Sequence, residues 1–368
     1  MSSKEEIVLQ GSLSMKGGDG IYSYAKNSSF QRKSADVVRE KIDEAIAEKL
    51  DMKSLCSRGS RFHIADFGCS TGPNTFIAMQ NILESIERKY QSQCPTGQIP
   101  EFQVFFNDQV SNDFNTLFTT LPLDRKYFVA GVPGPFHGRL FPASSLHFAY
   151  SSTALHWLSK VPEVLLDKNS PSFNKGRIYC TSTLDKVVDA YSSQFAKDIK
   201  IFLEARAKEL VAGGMLVMIM PAKRNENPHC QTGMGMCIEY LESSFLDMVN
   251  EGIISEAKVD SFNLPLYEAS LEEMMELIQR NGSFNIEKME LTTVAKGEST
   301  FENYSPYTVQ MLKMHMRAGL EEIISKHFGT EIIDDLFDRY AIKLENLFHR
   351  LQSGKGKGTQ MFVILKRK

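Results

Sequence analysis

The run I-A-D-F-G-C-S-T-G-P-N, from Ile64 to Asn74, reads as a buried strand, a tight glycine loop and a helix start in eleven residues. Glycines in such a junction let backbone approach a ligand that a side chain would hold off. The spacing D-x-G-x-x-x-G is neither the G-x-G-x-x-G of dinucleotide sites nor the G-x-x-x-x-G-K-[ST] of phosphate loops. No lysine follows Gly72, so a triphosphate would meet no cation here. Asp66 at the opening of the loop, with Gly68 behind it, suits a ligand carrying a sugar and a positive centre, and S-adenosylmethionine (SAM) is the leading candidate. Taken alone, the run fits an ordinary strand-to-helix turn equally well.

Other residues extend this chemistry. Asp108 follows a second apolar run, F-Q-V-F-F at 102–106. In an open parallel sheet Asp66 and Asp108 both project at the carboxyl edge, where ligands bind. A carboxylate after the second strand can accept from both ribose hydroxyls. Asn74 stands where a helix leaves its first N–H groups free, which favours a carboxylate ligand such as the amino-acid end of SAM. The segment G-V-P-G-P-F-H-G-R-L-F-P, 131–142, is a rigid loop at the same edge. Phe136 in it stacks on an adenine ring or packs as a buried loop aromatic. The segment S-S-T-A-L-H-W-L-S, 151–159, places His156 beside Trp157, the one tryptophan, which offers an indole N–H and a flat apolar wall. Taken singly, both fit a role in the core. No nucleophile elbow, paired-glutamate site or Ser/His/Asp pattern stands out. Methyl transfer from a sulfonium to a carboxylate needs none, because the carboxylate is already ionised at neutral pH and alignment with desolvation supplies the rate.

In order along the chain, M-K-G-G-D-G from Met15, S-Y-A-K-N-S-S-F-Q-R from Ser23, A-D-F-G-C-S-T-G-P-N from Ala65, F-N-D from Phe106, the 131–142 loop, L-H-W-L-S from Leu155 and S-F-N-L-P from Ser261 resemble the plant SABATH family of SAM-dependent carboxyl and N-methyltransferases. The resemblance covers essentially the whole chain. It implies a Rossmann-like SAM domain with a helical cap, working as a homodimer. It implies SAM contacts from Tyr24, Ser28, Cys69, Asn74, Asp108, Gln109 and Phe136, with Ser152 near the cofactor. Gln31 and Trp157 should hold the acceptor carboxylate by neutral N–H donors, which orient an anion without the deep stabilisation of an arginine. Thr153, His156, Cys237, Ile238 and Met316 should shape the rest of the pocket. Asn174, Asp260, the Phe262 carbonyl and Asn263 match a magnesium site of some members, and oxygen ligands suit that hard ion.

Two departures stand out. Pro135 replaces the usual serine, which removes a side-chain hydrogen bond to the cofactor and leaves backbone contact. Thr153 replaces a tyrosine common in the family, which shortens a pocket wall. His156 argues against a plain benzoate pocket, and Gln31 against the purine-methylating branch. The implied acceptor is a small plant acid of iridoid, terpenoid, aromatic or indole type. Methylation of a heterocyclic nitrogen and a catalytically silent acid binder are the alternatives.

These residues need a frame. Apolar runs predict strands at 62–67, 102–106, 128–132, 146–150, 215–220 and 360–365. Helical spacing predicts helices over 34–50, after Pro73, and over 185–212 with a stop at Ala212-Gly213-Gly214. The alternation points to an α/β fold, a doubly wound parallel sheet of Rossmann-like SAM-dependent methyltransferase type with a mostly helical cap. Residues 1–34 read as a lid segment over the active site, 35–225 and 355–368 as the SAM domain, and the methionine-rich 226–354 as the cap around a small-molecule pocket.

The net charge is −3, from 42 basic and 45 acidic side chains, so there is no broad cationic field for nucleic acid or anionic membrane. Six scattered cysteines, without C-x-x-C, argue against zinc and for a reducing compartment. With no apolar segment of signal-peptide or membrane-spanning character, the cytosol is expected.

Overall fold

Strand β1 (Arg61–Phe67) shows why the sheet needs cover on both sides. Phe62 and Ile64 join one buried apolar cluster, and Ala65 and Phe67 join another. β2 (Glu101–Asp108), β3 (Phe128–Pro133), β4 (Leu146–Ser152), β5 (Leu210–Pro221), β6 (Phe284–Thr293) and β7 (Thr359–Arg367) complete the sheet. In β5, Met215, Val217 and Ile219 face the first cluster while Leu216, Met218 and Met220 face the second. A strand buried on both faces reads as a continuous apolar run, and the period of two assigns each side chain to its layer. The computed structural model describes residues 14–56, 61–181, 185–293, 305–352 and 358–368. The first thirteen residues of the expected lid segment and the expected cap boundary at 354–355 lie outside the described residues.

The seven strands run in the order β3-β2-β1-β4-β5-β7-β6. Neighbours among β1 to β5 pair in parallel, and β7 is antiparallel to both β5 and β6. The chain winds outward from β1 to β3 and then returns to the other side of β1 as β4. The strand order therefore reverses between β1 and β4, and the crevice at their carboxyl ends is where such sheets bind ligands.

Helices α1 (Tyr24–Asn27), α2 (Ser29–Lys49), α3 (Met52–Cys56) and α4 (Pro73–Gln93) come first in the chain, followed by α5 (Phe114–Thr119) and α6 (Asp185–Glu209). α2 and α4 cover one sheet face through Val38, Ile46, Met79 and Ile86, and α6 covers the other through Phe195, Ile199 and Phe202. α7 (Gly233–Asn250), α8 (Glu256–Asp260), α9 (Leu271–Asn281), α10 (Pro306–Phe328) and α11 (Ile333–Gln352) form the helical remainder. No described helix is long and apolar enough to cross a membrane.

Two expectations about elements need correction. The 226–354 stretch is not helical throughout, since β6 joins the sheet from within it. β6 is an edge strand, largely half-exposed, and its Glu287 and Glu290 pair with Lys49 and Lys41 of α2. Its charges hid it in the sequence. The long helix also stops earlier than expected, at Glu209, and Gly213 and Gly214 lie inside β5. The register against β4 shifts between Leu146 and Phe148, and Gly213 takes φ +81° in the extra residues of the bulge.

Candidate active site

At the end of β1 the chain turns back on itself, and Gly68 has φ +87°. A β-carbon there would lie 2.3 Å from that of Ala154, so only glycine fits. The N–H groups of Gly68 and Cys69 both donate to the Asn107 carbonyl, at 2.9 and 3.0 Å. Ser70, at φ +52°, donates its N–H to Asp108 Oδ2 at 2.7 Å, and Gln109 donates its own to Asp108 Oδ1 at 2.7 Å. The glycine loop is thus laced to the end of β2.

The two acids expected at this edge differ in setting. Asp108 is half-buried, and burial lifts its carboxyl to about 6 despite the two N–H donors. Asp66 is buried and accepts from the Thr75 hydroxyl at the start of α4. Burial first, and Asp108 second, lift it to about 7. Burial also holds the Cys69 thiol protonated. A raised carboxyl stabilises the fold below its unfolded value, near 4, and that contribution is lost as pH rises through about 7. Asp66→Asn removes the titration. In the ligand-free protein the melting temperature of the variant should gain on the parent as pH climbs from about 4 to about 7 and then hold level. A constant offset across that window would contradict a buried, titrating Asp66.

Three adjoining spaces open at this edge. The largest, of about 860 Å³, is lined by Gly68, Asp108, Gln109, the exposed Pro135 and the buried Phe136. The second, of about 230 Å³, is lined by Gln31, His156, Trp157, Cys237, Ile238 and Met316. A cleft of about 40 Å³ beside the glycine loop is lined by Asp66, Cys69, Asn74 and Ser152. Tyr24 and Thr153 border all three, while Met15 and Trp157 border both larger ones. Ser28 borders none of them. It is buried under Asn74, whose Nδ2 donates to the Ser28 carbonyl and Oγ, both at 2.9 Å. That pair ties α4 to the segment running into α2.

Thr153 takes φ +51°, a strained position for a β-branched residue. Its N–H donates to the Ile219 carbonyl at 2.7 Å, and its hydroxyl donates to the Ser152 carbonyl at 2.8 Å. Gln31 Oε1 is buried without a hydrogen-bond partner. His156 is buried, its Nδ1 has no partner, and burial pushes it down to about 3, so the ring is neutral.

Two residues that sequence reasoning missed line the second cavity. His315 of α10 faces Asn27 O through Nδ1 at 3.2 Å, sits edge-on to Phe30 at 4.7 Å between ring centroids, and is pushed down to about 4 by burial. Glu268 is the only carboxylate among the described residues lining that cavity. Nothing in its sequence context marked it.

A third missed feature braces the Phe136 loop. Arg206, fully buried on α6, donates from Nη1 to the Phe136 carbonyl at 2.7 Å and from Nη2 to the Gly138 carbonyl at 2.8 Å. Its Nε donates to Glu209 Oε2 at 2.7 Å, and Glu209 Oε1 accepts from the N–H groups of Leu140 and Phe141 at 2.6 and 2.9 Å. The guanidinium also lies 4.0 Å over the Phe67 ring.

The N-terminal segment crosses the site and docks on α10. Lys16 donates its N–H to the Ala318 carbonyl at 3.0 Å and pairs with Glu321 at 3.0 Å, while Arg317 stacks 3.5 Å over the Tyr22 ring.

The positions matched to magnesium form a closed polar knot. Asn174 Nδ2 donates to Asn263 Oδ1 at 2.7 Å, which also accepts from the Tyr191 hydroxyl at 3.2 Å. Asp260 Oδ1 accepts from the Gly176 N–H at 2.8 Å, and Phe262 packs its ring on Phe245, His327 and Phe328. Asn174 Oδ1 and Asn263 Nδ2 are both buried and without a partner. A magnesium ion needs several converging oxygens. As the side chains stand, two donors occupy the Asn263 oxygen, and the Asn174 oxygen is free. No step of the chemistry below runs through an ion.

A switch-point sheet, a glycine loop after β1, an acid after β2 and an adjoining apolar chamber define a SAM-dependent methyltransferase. The chain matches the family described as SAM dependent carboxyl methyltransferase over residues 10–368. It is 47% identical over 357 residues to loganic acid O-methyltransferase of Catharanthus roseus, covering 96% of this chain and 94% of that one. It is 38% identical over 356 residues to farnesoic acid carboxyl-O-methyltransferase of Arabidopsis thaliana, covering 97% and 99%. A solved loganic acid methyltransferase with SAH superposes with a TM-score of 0.91 at 46% identity, covering 96% and 98% of the two chains. The chain belongs to the SABATH family of carboxyl methyltransferases and is an enzyme that moves a methyl group from SAM to the carboxylate of a small acid.

Proposed function

We propose that the largest space and the cleft hold the cofactor, and that the 230 Å³ cavity holds a small plant acid. Asp108 accepts from the ribose, Phe136 covers the adenine, and Asn74 with the start of α4 faces the amino-acid end. Tyr24, Gly68, Cys69, Gln109, Ser152 and the Pro135 backbone complete that wall. Ser28 acts from behind, through Asn74. Gln31 and Trp157 hold the acceptor carboxylate, with Thr153, His156, Cys237, Ile238 and Met316 around the body of the acid. The observation that supports this reading best is the border shared by the two larger spaces at Tyr24, Thr153 and Trp157, with Gln31 lining both the acceptor cavity and the cleft by the glycine loop.

When bound, SAM supplies the methyl group and, as S-adenosylhomocysteine (SAH), keeps the electron pair of the broken C–S bond. The carboxylate oxygen gains the new C–O bond, and no proton moves. An anion and a cation become two neutral products, so separated charge disappears along the reaction. A chamber with no lysine or arginine among its described lining residues, and with its two histidines held neutral, does not stabilise the anion before transfer. The chain's task is to exclude water and to align the oxygen with the methyl carbon.

Incubation with methyl-labelled SAM and a panel of plant acids tests the reading. Label should enter products that mild base hydrolyses. Base-stable label would place the methyl on nitrogen, and no label with any acid would make the protein a silent binder. Homodimer assembly enters this reading from the family resemblance alone, and a cytosolic location from the scattered cysteines.

A further inference from the structure

Glu268 is 3% exposed and lines the acceptor cavity. Thr232, which caps the start of α7, donates its hydroxyl to Glu268 Oε2 and is its only hydrogen-bond partner among the described residues. An ionised carboxylate has room for about four hydrogen bonds, and a buried one left short of donors is costly. No lysine or arginine among the described residues lines the cavity, and the charge of Lys223 offsets the burial of Glu268 only in part. Burial lifts the Glu268 carboxyl to about 7, as expected for an acid short of donors.

Its surroundings are fixed. The Tyr267 N–H donates to the His156 carbonyl at 2.9 Å, the Tyr267 hydroxyl donates to Glu273 at 2.7 Å, and Leu266 bridges to Trp157. Glu268 borders the acceptor cavity alone, whereas Trp157, Tyr24 and Thr153 also border the cofactor space. Glu268 thus lines the chamber without bordering the 860 Å³ space.

We infer that Glu268 is a specificity residue that accepts a hydrogen bond from a hydroxyl group on the body of the acceptor, so that the substrate is a hydroxy acid. This rests on the assignment of the cavity to the acceptor. Like charges would repel if the acceptor turned round, so Glu268 also sets the direction in which the acid enters.

Matched acids test this inference. Cinnamic and 4-hydroxycinnamic acid, and cyclohexanecarboxylic and 4-hydroxycyclohexanecarboxylic acid, are titrated into SAH-loaded protein and also assayed for methyl ester. The hydroxylated member of at least one pair should bind about 10- to 100-fold more tightly, the range for a hydrogen bond to a charged group. Glu268→Leu should abolish that preference while SAH affinity stays level, and Glu268→Gln, which keeps an acceptor, should retain part of it. Equal or absent binding of both members of every pair, or an equal loss for both in Glu268→Leu, overturns the inference. A hydroxyl preference in binding with no ester formed from any acid overturns the carboxyl assignment and leaves Glu268 in its role.

Discussion

Gln31→Ala and Trp157→Ala should each lower kcat with a good acid substrate by about 100-fold or more while changing SAH affinity by less than about twofold. The magnitude follows from what these side chains do. Alignment of reacting groups carries much of the rate in an uncatalysed-proton reaction of this kind, and a misplacement of about 1 Å costs on the order of 100-fold. Gln31 lines the acceptor cavity and the cleft by the glycine loop, and its amide oxygen is unpartnered. That oxygen has no structural bond to lose, and the melting temperature of the variant should stay nearly unchanged. Trp157 also packs on the core, so its variant should melt lower and needs the affinity measurement to separate the effects. Asp108→Ala should show the opposite pattern, weakening SAH binding first. Titration calorimetry with SAH beside steady-state kinetics decides between them. If the Gln31 variant lost cofactor binding and the Asp108 variant kept it, the two halves of the site would have to be exchanged.

The parts of this enzyme that were legible in the sequence share one property: their neighbours in space are their neighbours in the pattern. β1, β2, β4, β5 and β7 show as apolar runs because both of their faces are covered. The glycine loop shows because Gly68 meets Ala154 whatever else the chain does. Every SAM or acceptor residue expected by resemblance except Ser28 borders one of the three spaces. What stayed hidden depends on partners far along the chain. β6 carries Glu287, Lys288 and Glu290 and reads as surface until α2 supplies Lys41 and Lys49. Arg206 and Glu209 look like the solvated side of an amphipathic helix, because the loop that buries them comes about seventy residues earlier. Glu268 and His315 are ordinary polar residues until the fold places them on one chamber wall. The contacts of Asn263 with Asn174 and Tyr191 were hidden for the same reason, since the partners lie 89 and 72 residues apart.

The Arg206–Glu209 pair carries the largest expected effect on stability, and it also links the fold to the cofactor. Both side chains are fully buried, and between them they hold two carbonyls and two N–H groups of the segment from Phe136 to Phe141. Arg206→Met leaves Glu209 charged, buried and without its cation, and breaking a buried pair in this way costs about 3–5 kcal/mol. At about 2.1 cal/mol/K per residue for the entropy of unfolding, that lowers the melting temperature by about 4–6 °C. Replacing both, as Arg206→Met with Glu209→Gln, should cost less than the single change, because no unpaired charge is left inside. Both variants free the Phe136 carbonyl, so both should bind SAH about 10-fold more weakly, and the melting-temperature gain on adding SAH should shrink accordingly. The comparison separates two roles that a melting curve alone would merge. Should the single variant melt lower yet bind SAH as tightly as the parent, the pair would be a structural brace with no part in placing Phe136 over the adenine. Should the double variant recover stability while SAH binding stays weak, the guanidinium would be acting on the loop directly, holding the aromatic wall of the cofactor space from behind.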